Sequence, residues 1–161
     1  MKIKMLSALM LGAHCFTASA NVFISEYVEG SGSNKAIELY NNSETAVDIS
    51  QHQIKVYFNG GSSAGTTISL SGEIAPFSTY VVATTSADDG LKMNAQLLTA
   101  ASLFNGDDFI ELVVANGADG ETVLDTIGQF GVDPGSAYSV TVDGVTYSTA
   151  NKTLVRRSNI T

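Results

Sequence analysis

Cysteine, tryptophan and proline are scarce in this sequence, which has one cysteine, Cys15, no tryptophan and two prolines among 161 residues. A single thiol excludes a disulfide scaffold and any metal site built from several cysteines. Stability must therefore come from packing and hydrogen bonds. A chain of this length is large enough for one domain with its own hydrophobic core.

Basic residues are also scarce, with 8 Lys and Arg against 16 Asp and Glu, and the formal net charge is −8. Phosphate contacts need cations, so this balance argues against direct nucleic-acid binding. Outside the first four residues the basic side chains are dispersed, and only Arg156 and Arg157 are adjacent. Such a charge is typical of an extracellular protein that makes weak contacts with divalent ions.

The apolar stretch over residues 5–13 is shorter than the roughly 20 residues that a membrane-spanning helix needs. Lys2 and Lys4 precede it, and the small residues ASA at positions 18–20 follow it. This order is typical of a secretory signal peptide. We expect a signal peptide over residues 1–20, cleavage after Ala20, no membrane span, and a soluble secreted, periplasmic or extracellular protein from Asn21 onward.

Removal of this segment takes away Cys15 and two lysines, which leaves six basic residues against 16 acidic ones and a net charge of −10. Two alternatives compete with cleavage at Ala20. One is a buried N-terminal helix. The other is a lipid anchor on Cys15, which is opposed by His14, because a lipid-attachment signal has a small residue at that position.

The remaining sequence alternates β-favouring segments with turn signals, which predicts an all-β sandwich or barrel. The predicted strands are 22–28, 35–40, 47–49, 54–58, 66–70, 79–84, 108–114, 123–130, 139–142, 145–148 and 153–157. Asp143-Gly144 predicts a two-residue hairpin turn. Residues 91–104 predict a short helix or an irregular crossover. The side chains expected to face the core are Ile24, Ile37, Leu39, Val56, Phe58, Val81, Ile110, Leu112, Leu124 and Ile127.

Several segments resemble the lamin-tail domain family, whose module is immunoglobulin-like. The opening FISEY at 23–27 followed by NKAIELYN at 34–41 carries the resemblance, and NGDDFIEL at 105–112 and VLDTIG at 123–128 extend it. The similarity runs over residues 22–157. It implies an immunoglobulin-like β-sandwich over residues 21–161.

The segment EYVEGS at 26–31, followed by NKA at 34–36, looks most like the bacterial branch of that family. There the module often precedes the metal-dependent endonuclease/exonuclease/phosphatase domain of a large secreted nuclease. The resemblance implies a non-catalytic binding or positioning module, either the leading domain of such a nuclease or a stand-alone relative. Its expected partner is a protein, a cell-surface component or a downstream catalytic domain. It implies no catalytic, cofactor-binding or metal-ligating residue here.

The residues that could carry chemistry are few. His52 lies between two predicted strands, and we interpret it as an exposed loop histidine, because no serine has a nucleophile-elbow setting. Asp107, Asp108 and Glu111 form the densest acidic group, and other acidic positions are Asp88, Asp89 and the NGADGE stretch at 116–121. Strand alternation places Asp108 and Glu111 on opposite faces, so we expect solvated edges and turns. A divalent-metal hydrolase and a calcium-stabilised adhesion module are the alternatives.

Glu26 shares a predicted face with Ile24 and Val28, and that face is a candidate core face. A carboxylate there needs a partner, since unpaired burial is costly, and we expect Lys35 or Arg156 to supply it. Together with Glu38, Glu26 could also form the paired carboxylates of a glycosidase. Without tryptophan to stack on a sugar ring, the structural role is favoured.

Two further patterns carry little weight. Residues 41–43, 151–153 and 159–161 match the N-glycosylation pattern, which is uninformative in a bacterial protein. The glycine-rich stretches 30–33 and 60–65 do not lead from a strand into a helix, so neither is a phosphate-binding loop.

Overall fold

The computed structural model describes residues 21–157, and the predicted signal peptide and the last glycosylation pattern lie outside these residues. The chain forms thirteen strands there: β1 (Val22–Glu29), β2 (Lys35–Asn41), β3 (Val47–Asp48), β4 (His52–Tyr57), β5 (Thr66–Ser69), β6 (Glu73–Ile74), β7 (Thr79–Thr84), β8 (Leu97–Thr99), β9 (Phe109–Ala115), β10 (Glu121–Ile127), β11 (Ser139–Val142), β12 (Val145–Ser148) and β13 (Thr153–Val155). One helical turn, α1 (Asp89–Lys92), precedes β8.

Two sheets make up the body of the domain. The first has the strand order β13-β1-β2-β7-β8, and the second has the order β10-β9-β4-β5. Ile24, Leu39 and Val82 of the first sheet belong to one buried cluster with Ile54 and Leu112 of the second. The strands β3 and β6 form a small separate ribbon, as do β11 and β12. The predicted all-β sandwich is therefore confirmed.

Most of the predicted core is correct. Six of the expected side chains are buried, namely Ile24, Ile37, Leu39, Val56, Ile110 and Leu112. Phe58, Leu124 and Ile127 pack partly buried against them. Val81 was predicted wrongly, because Tyr80 and Val82 face the core and Val81 lies opposite Glu38 on the outer face. A continuous run of apolar residues does not show which of its two alternating sets points inward.

A β-bulge at Ser25 reverses the face that Glu26 occupies. The pairing of β1 with β2 passes from Ile24 opposite Leu39 to Glu26 opposite Glu38, so Ser25 is an extra residue in β1. One inserted residue exchanges the two faces of a strand. Ile24 and Tyr27 are both buried in the core. The prediction that Glu26 shares the face of Ile24 is therefore wrong.

Residues 91–104, which were predicted to form a short helix or an irregular crossover, contain the end of a short helix and a crossover connection. The helix α1 ends at Lys92, and β8 follows as a strand parallel to β7. Parallel neighbours need a connection that crosses over, which explains why this is the least strand-like part of the sequence. Leu103 and Phe104 follow β8 and are buried, and the Phe104 ring stacks on Tyr27 with centroids 4.6 Å apart.

The ribbon of β11 and β12 projects from the body on a short base. Asp143 and Gly144 both have positive φ, 51° and 77°, as the predicted type of two-residue turn requires. At the base, the Tyr138 amide and the Thr149 hydroxyl donate to the carbonyl of Gly106. The chain then returns as β13, which adds to the edge of the first sheet beside β1.

Candidate functional site

His52 begins β4 and is 8% exposed, so the interpretation as an exposed loop histidine is wrong. The residue lies opposite Val114 of β9, which draws it into the sheet. Its Nδ1 atom is buried and has no hydrogen-bond partner. Burial lowers the pKa of His52, and the charge of Asp48 opposes this effect only in part. The imidazole is therefore held in its neutral form.

We expect the domain to lose stability on acidification because of His52. The folded-state pKa lies below the ordinary value, so the unfolded chain takes up the proton first as the pH falls below about 6.5. The loss is bounded at about 1.4 kcal/mol per pH unit for one group. Urea unfolding at pH 7.5, 6.5 and 5.5 should show a shallower pH dependence for His52→Leu than for wild type. If the stability of the two proteins changed equally with pH, the assignment of this acid sensitivity to His52 would be contradicted.

The densest acidic group is buried rather than solvated, which corrects the prediction for three residues. Asp107 and Asp108 lie in the loop before β9 and are 5% and 4% exposed, and Glu111 within β9 is 9% exposed. The Asp108 carboxylate accepts hydrogen bonds from the backbone N–H groups of Asn59 (3.0 Å) and Asn105 (2.8 Å). Burial raises the pKa of Asp108 in spite of these bonds. The carboxylate therefore joins two loops rather than facing solvent.

Glu111 serves a different network from Asp108. Its Oε1 accepts from the Tyr57 hydroxyl at 2.5 Å, and burial together with this bond raises the pKa of Tyr57 to about 12. The nearby Asp107 Oδ1 is buried without a hydrogen-bond partner. Among residues 21–157, no group of three or more His, Cys, Asp or Glu side chains is arranged to hold a metal ion.

The other acidic positions are exposed, as predicted: Asp88 and Asp89 lie at the start of α1, and the NGADGE stretch connects β9 to β10. The Asp88 carboxylate accepts a hydrogen bond from the side-chain Nδ2 of Asn34 at 2.9 Å. The Asp89 carboxylate forms an ion pair with the Lys92 ammonium at 2.9 Å. Within the NGADGE stretch, Asn116 donates to the Thr122 hydroxyl at 2.7 Å across the turn between β9 and β10. These side chains stabilise turn conformations.

Glu26 and Glu38 lie directly opposite each other on the outer face of the first sheet. The Ser25 hydroxyl donates to Glu38 Oε1 at 2.7 Å. Partial burial, and then the charge of Glu38, raise the pKa of Glu26. The two carboxylates line a groove of about 400 Å³ whose wall includes Val81 and Leu91. The negative charge of Glu38 thus disfavours the ionised form of Glu26.

The cations expected beside Glu26 bind elsewhere, so that prediction is wrong. Arg156 pairs with Asp125 of β10, and Lys35 pairs with Glu29 at the end of β1. The Lys35 ammonium also donates to the Gly30 carbonyl at 2.6 Å. The bulge at Ser25 explains the difference, because it moves Glu26 to the outer face and leaves Glu29 as the buried carboxylate.

An apolar surface is left uncovered on the ribbon of β11 and β12. Val140 pairs with Tyr147 and Val142 pairs with Val145, so these four side chains share one face, which we call the hairpin face. Each is 49–59% exposed. The opposite face carries two threonines whose hydroxyls lie 2.9 Å apart.

The hairpin face continues into a cavity that reaches β13. This cavity of about 190 Å³ is lined by Tyr138, Val140, Tyr147 and Leu154, with small polar residues at its rim. Sequence reasoning located the hairpin but missed this surface as a functional feature. The alternation of valine with threonine shows that one face is apolar, but not whether another element covers that face.

Two comparisons with known proteins bear on this molecule. The family model described as Lamin Tail Domain matches residues 16–131. A search of curated proteins found no match. The hairpin face and β13 follow the matched residues in the chain. None of the helices among residues 21–157 is long and apolar enough to cross a membrane.

Proposed function

This chain belongs to the lamin-tail domain family, and from that membership we propose that it is an exported, non-catalytic module that binds another macromolecule, most simply a protein. The domain of this family is an immunoglobulin-like β-sandwich, in agreement with the two packed sheets. A fold alone does not specify a function, so the proposal depends on a surface of this particular chain.

The hairpin face is the observation that carries the proposal. Tyr147 and three valines are about half exposed to solvent. They lie on a two-stranded ribbon that is hydrogen-bonded to the β-sandwich at its base. Contiguous exposed apolar groups are costly in a monomer and mark interaction sites in proteins that retain them. Tyrosine is also enriched at the centres of protein interfaces. The surface therefore fits a binding module.

Export and a link to secreted nucleases complete the proposal. The lysines, apolar stretch and ASA site of residues 1–20 support export, and the acidic balance suits an extracellular protein. The EYVEGS and NKA segments support kinship with the bacterial branch. In that setting the module positions a catalytic domain or attaches it to the cell surface.

The hairpin face is tested by placing charges on it. The labelled mature protein is incubated with intact cells of the producing organism, and the cell-associated fluorescence is measured. We expect the double variant Val142→Lys with Val145→Lys to weaken binding at least about tenfold, or ~1.4 kcal/mol. The matched control is Thr141→Lys with Thr146→Lys, which adds the same charge to the opposite face of the same ribbon.

Equal binding by the two double variants would contradict a role for the hairpin face. Cleavage of DNA by the purified protein that EDTA abolishes would contradict the non-catalytic assignment. In that case the carboxylates of Glu26 and Glu38, which face each other over the outer groove, are the first residues to replace.

A further inference from the structure

Within residues 21–157, the strand β13 has one hydrogen-bonding edge with no strand beside it. The Glu29 amide donates to the Lys152 carbonyl at 3.0 Å, and the Arg156 amide donates to the Ser25 carbonyl at 2.8 Å. In an antiparallel pair, alternate residues direct both backbone groups to the same neighbour. The backbone groups of Thr153 and Val155 therefore point away from β1, where no other strand of residues 21–157 pairs with them.

Apolar recesses adjoin this edge on its inner side. Leu154 lines both the cavity at the hairpin face and a second cavity of about 190 Å³, whose lining includes the apolar side chains of Ile24, Tyr27 and Ile127 together with Glu26 and Arg156. An extended chain laid beside β13 would direct every second side chain to this inner side, at the spacing of a β-strand. Two apolar side chains of such a chain would meet the two cavities.

The cations that are not engaged in ion pairs flank the same edge. Of the six Lys and Arg side chains among residues 21–157, four form ion pairs with Glu29, Glu121, Asp89 and Asp125. The other two, Lys152 and Arg157, lie at the two ends of β13 and are exposed. In a chain with net charge −8, both of these cations stand beside one unpaired strand.

We propose that β13 and the hairpin face together bind an extended segment of another protein, which adds to the first sheet as a sixth strand. The inference rests on the proposed binding function and specifies its partner. The segment has apolar side chains at alternate positions and acidic residues at both ends. Main-chain hydrogen bonds supply affinity in such strand addition, and side-chain pockets supply selectivity.

Charge distinguishes this partner from a second copy of the same chain. If two β13 edges paired antiparallel, the Lys152 end of each strand would lie next to the Arg157 end of the other, which would bring the exposed cations of both copies together. Like charges brought together repel each other. Edge lysines also deter aggregation in natural sheets. An acidic-ended segment removes the repulsion and gains attraction at both ends.

Three synthetic peptides with the same core test the proposal: DEVTVTVED, SSVTVTVSS and KKVTVTVKK, each labelled with fluorescein. Fluorescence polarisation measures their binding to the mature protein. We expect the acidic-ended peptide to bind at least about tenfold more tightly than the neutral one. We expect the basic-ended peptide to bind least.

Two sets of variants identify the edge. Val155→Pro removes the outward N–H and leaves the bonds to β1 intact, and we expect it to weaken binding of the acidic-ended peptide at least about tenfold. Its matched control, Val155→Thr, keeps the N–H and should bind as wild type does. Lys152→Glu with Arg157→Glu should reverse the order of the acidic and basic peptides. These charge variants keep every backbone donor and decide the question even if Val155→Pro folds poorly.

The proposal is overturned if the three peptides bind equally, if none binds, or if Val155→Pro and Val155→Thr behave alike. A dimer in sedimentation experiments that Val155→Pro dissociates would assign the edge to a second copy instead. Failure of this inference is separable from failure of the proposed function. Cell binding that depends on Val142 and Val145 but not on the edge variants would leave the binding function standing.

Discussion

Glu29→Ala is expected to lower the free energy of unfolding by about 3–5 kcal/mol, the usual cost of removing one partner from a buried ion pair. Glu29 and Lys35 are 4% and 9% exposed. The Glu29 carboxylate accepts hydrogen bonds from the Lys35 ammonium and from the backbone N–H of Asn151, in the turn before β13. Its removal leaves the Asn151 N–H without this acceptor, and it leaves a buried ammonium without its counter-charge, with only the Gly30 carbonyl as acceptor.

The measurement is urea unfolding of Glu29→Ala and of the double variant Glu29→Leu with Lys35→Met. Replacing both charges by apolar groups of similar volume is often nearly neutral. We therefore expect the double variant to regain most of the stability that Glu29→Ala loses. Glu121→Ala serves as control, because its pair with Lys55 is more exposed and exposed pairs contribute at most about 1 kcal/mol. Similar losses at Glu29 and Glu121 would contradict this reasoning.

Asn41→Asp is expected to cost at least about 3 kcal/mol, although the two side chains have almost the same shape. Asn41 is fully buried. Its side-chain nitrogen Nδ2 donates to the backbone carbonyls of Thr45 (2.8 Å), Ile74 (2.9 Å) and Ala75 (3.1 Å). An aspartate cannot donate when ionised, and its charge would face three carbonyl oxygens. Burial without compensation makes this arrangement strongly unfavourable.

The neighbouring Asn42 provides the matched control, since it is only half-buried and the same substitution there adds the same charge. Thermal unfolding of both variants compares them directly, and we expect Asn42→Asp to unfold close to wild type. Equal melting temperatures for the two variants would refute the role of Asn41. The same burial keeps Asn41 from accepting a glycan, so the glycosylation pattern at residues 41–43 is structural in this fold.

The chemistry of Asn41 was not predictable from its surroundings in sequence. It ends β2, and two of its three acceptors belong to residues more than thirty positions away. Only a local bond was foreseeable, because asparagine and serine bond readily to nearby backbone. The Ser43 backbone amide does donate to the side-chain Oδ1 of Asn41 at 2.9 Å. The long-range half of the network depends on how β6 packs beside it.

The candidate site shows the same division between local and long-range effects. The Asp143-Gly144 turn and the two strands that flank it follow from backbone geometry within a few residues, and both were predicted. The exposure of the hairpin face depends on the other elements of residues 21–157, none of which covers it. Likewise, burial of His52, Asp107 and Asp108 reflects their tertiary neighbours rather than their own polarity.

The sequence by itself determined eleven of the thirteen strands, the hairpin turn, the class of fold and most of the inward side chains, because each depends on residue propensities and on alternation over short distances. Tertiary structure decided which face of β1 is buried beyond Ser25, which carboxylate pairs with Lys35, and which edge and apolar face remain open. The physical reason is that a single inserted residue exchanges the two faces of a strand. Pairing and burial are then settled by contacts between segments far apart in the chain.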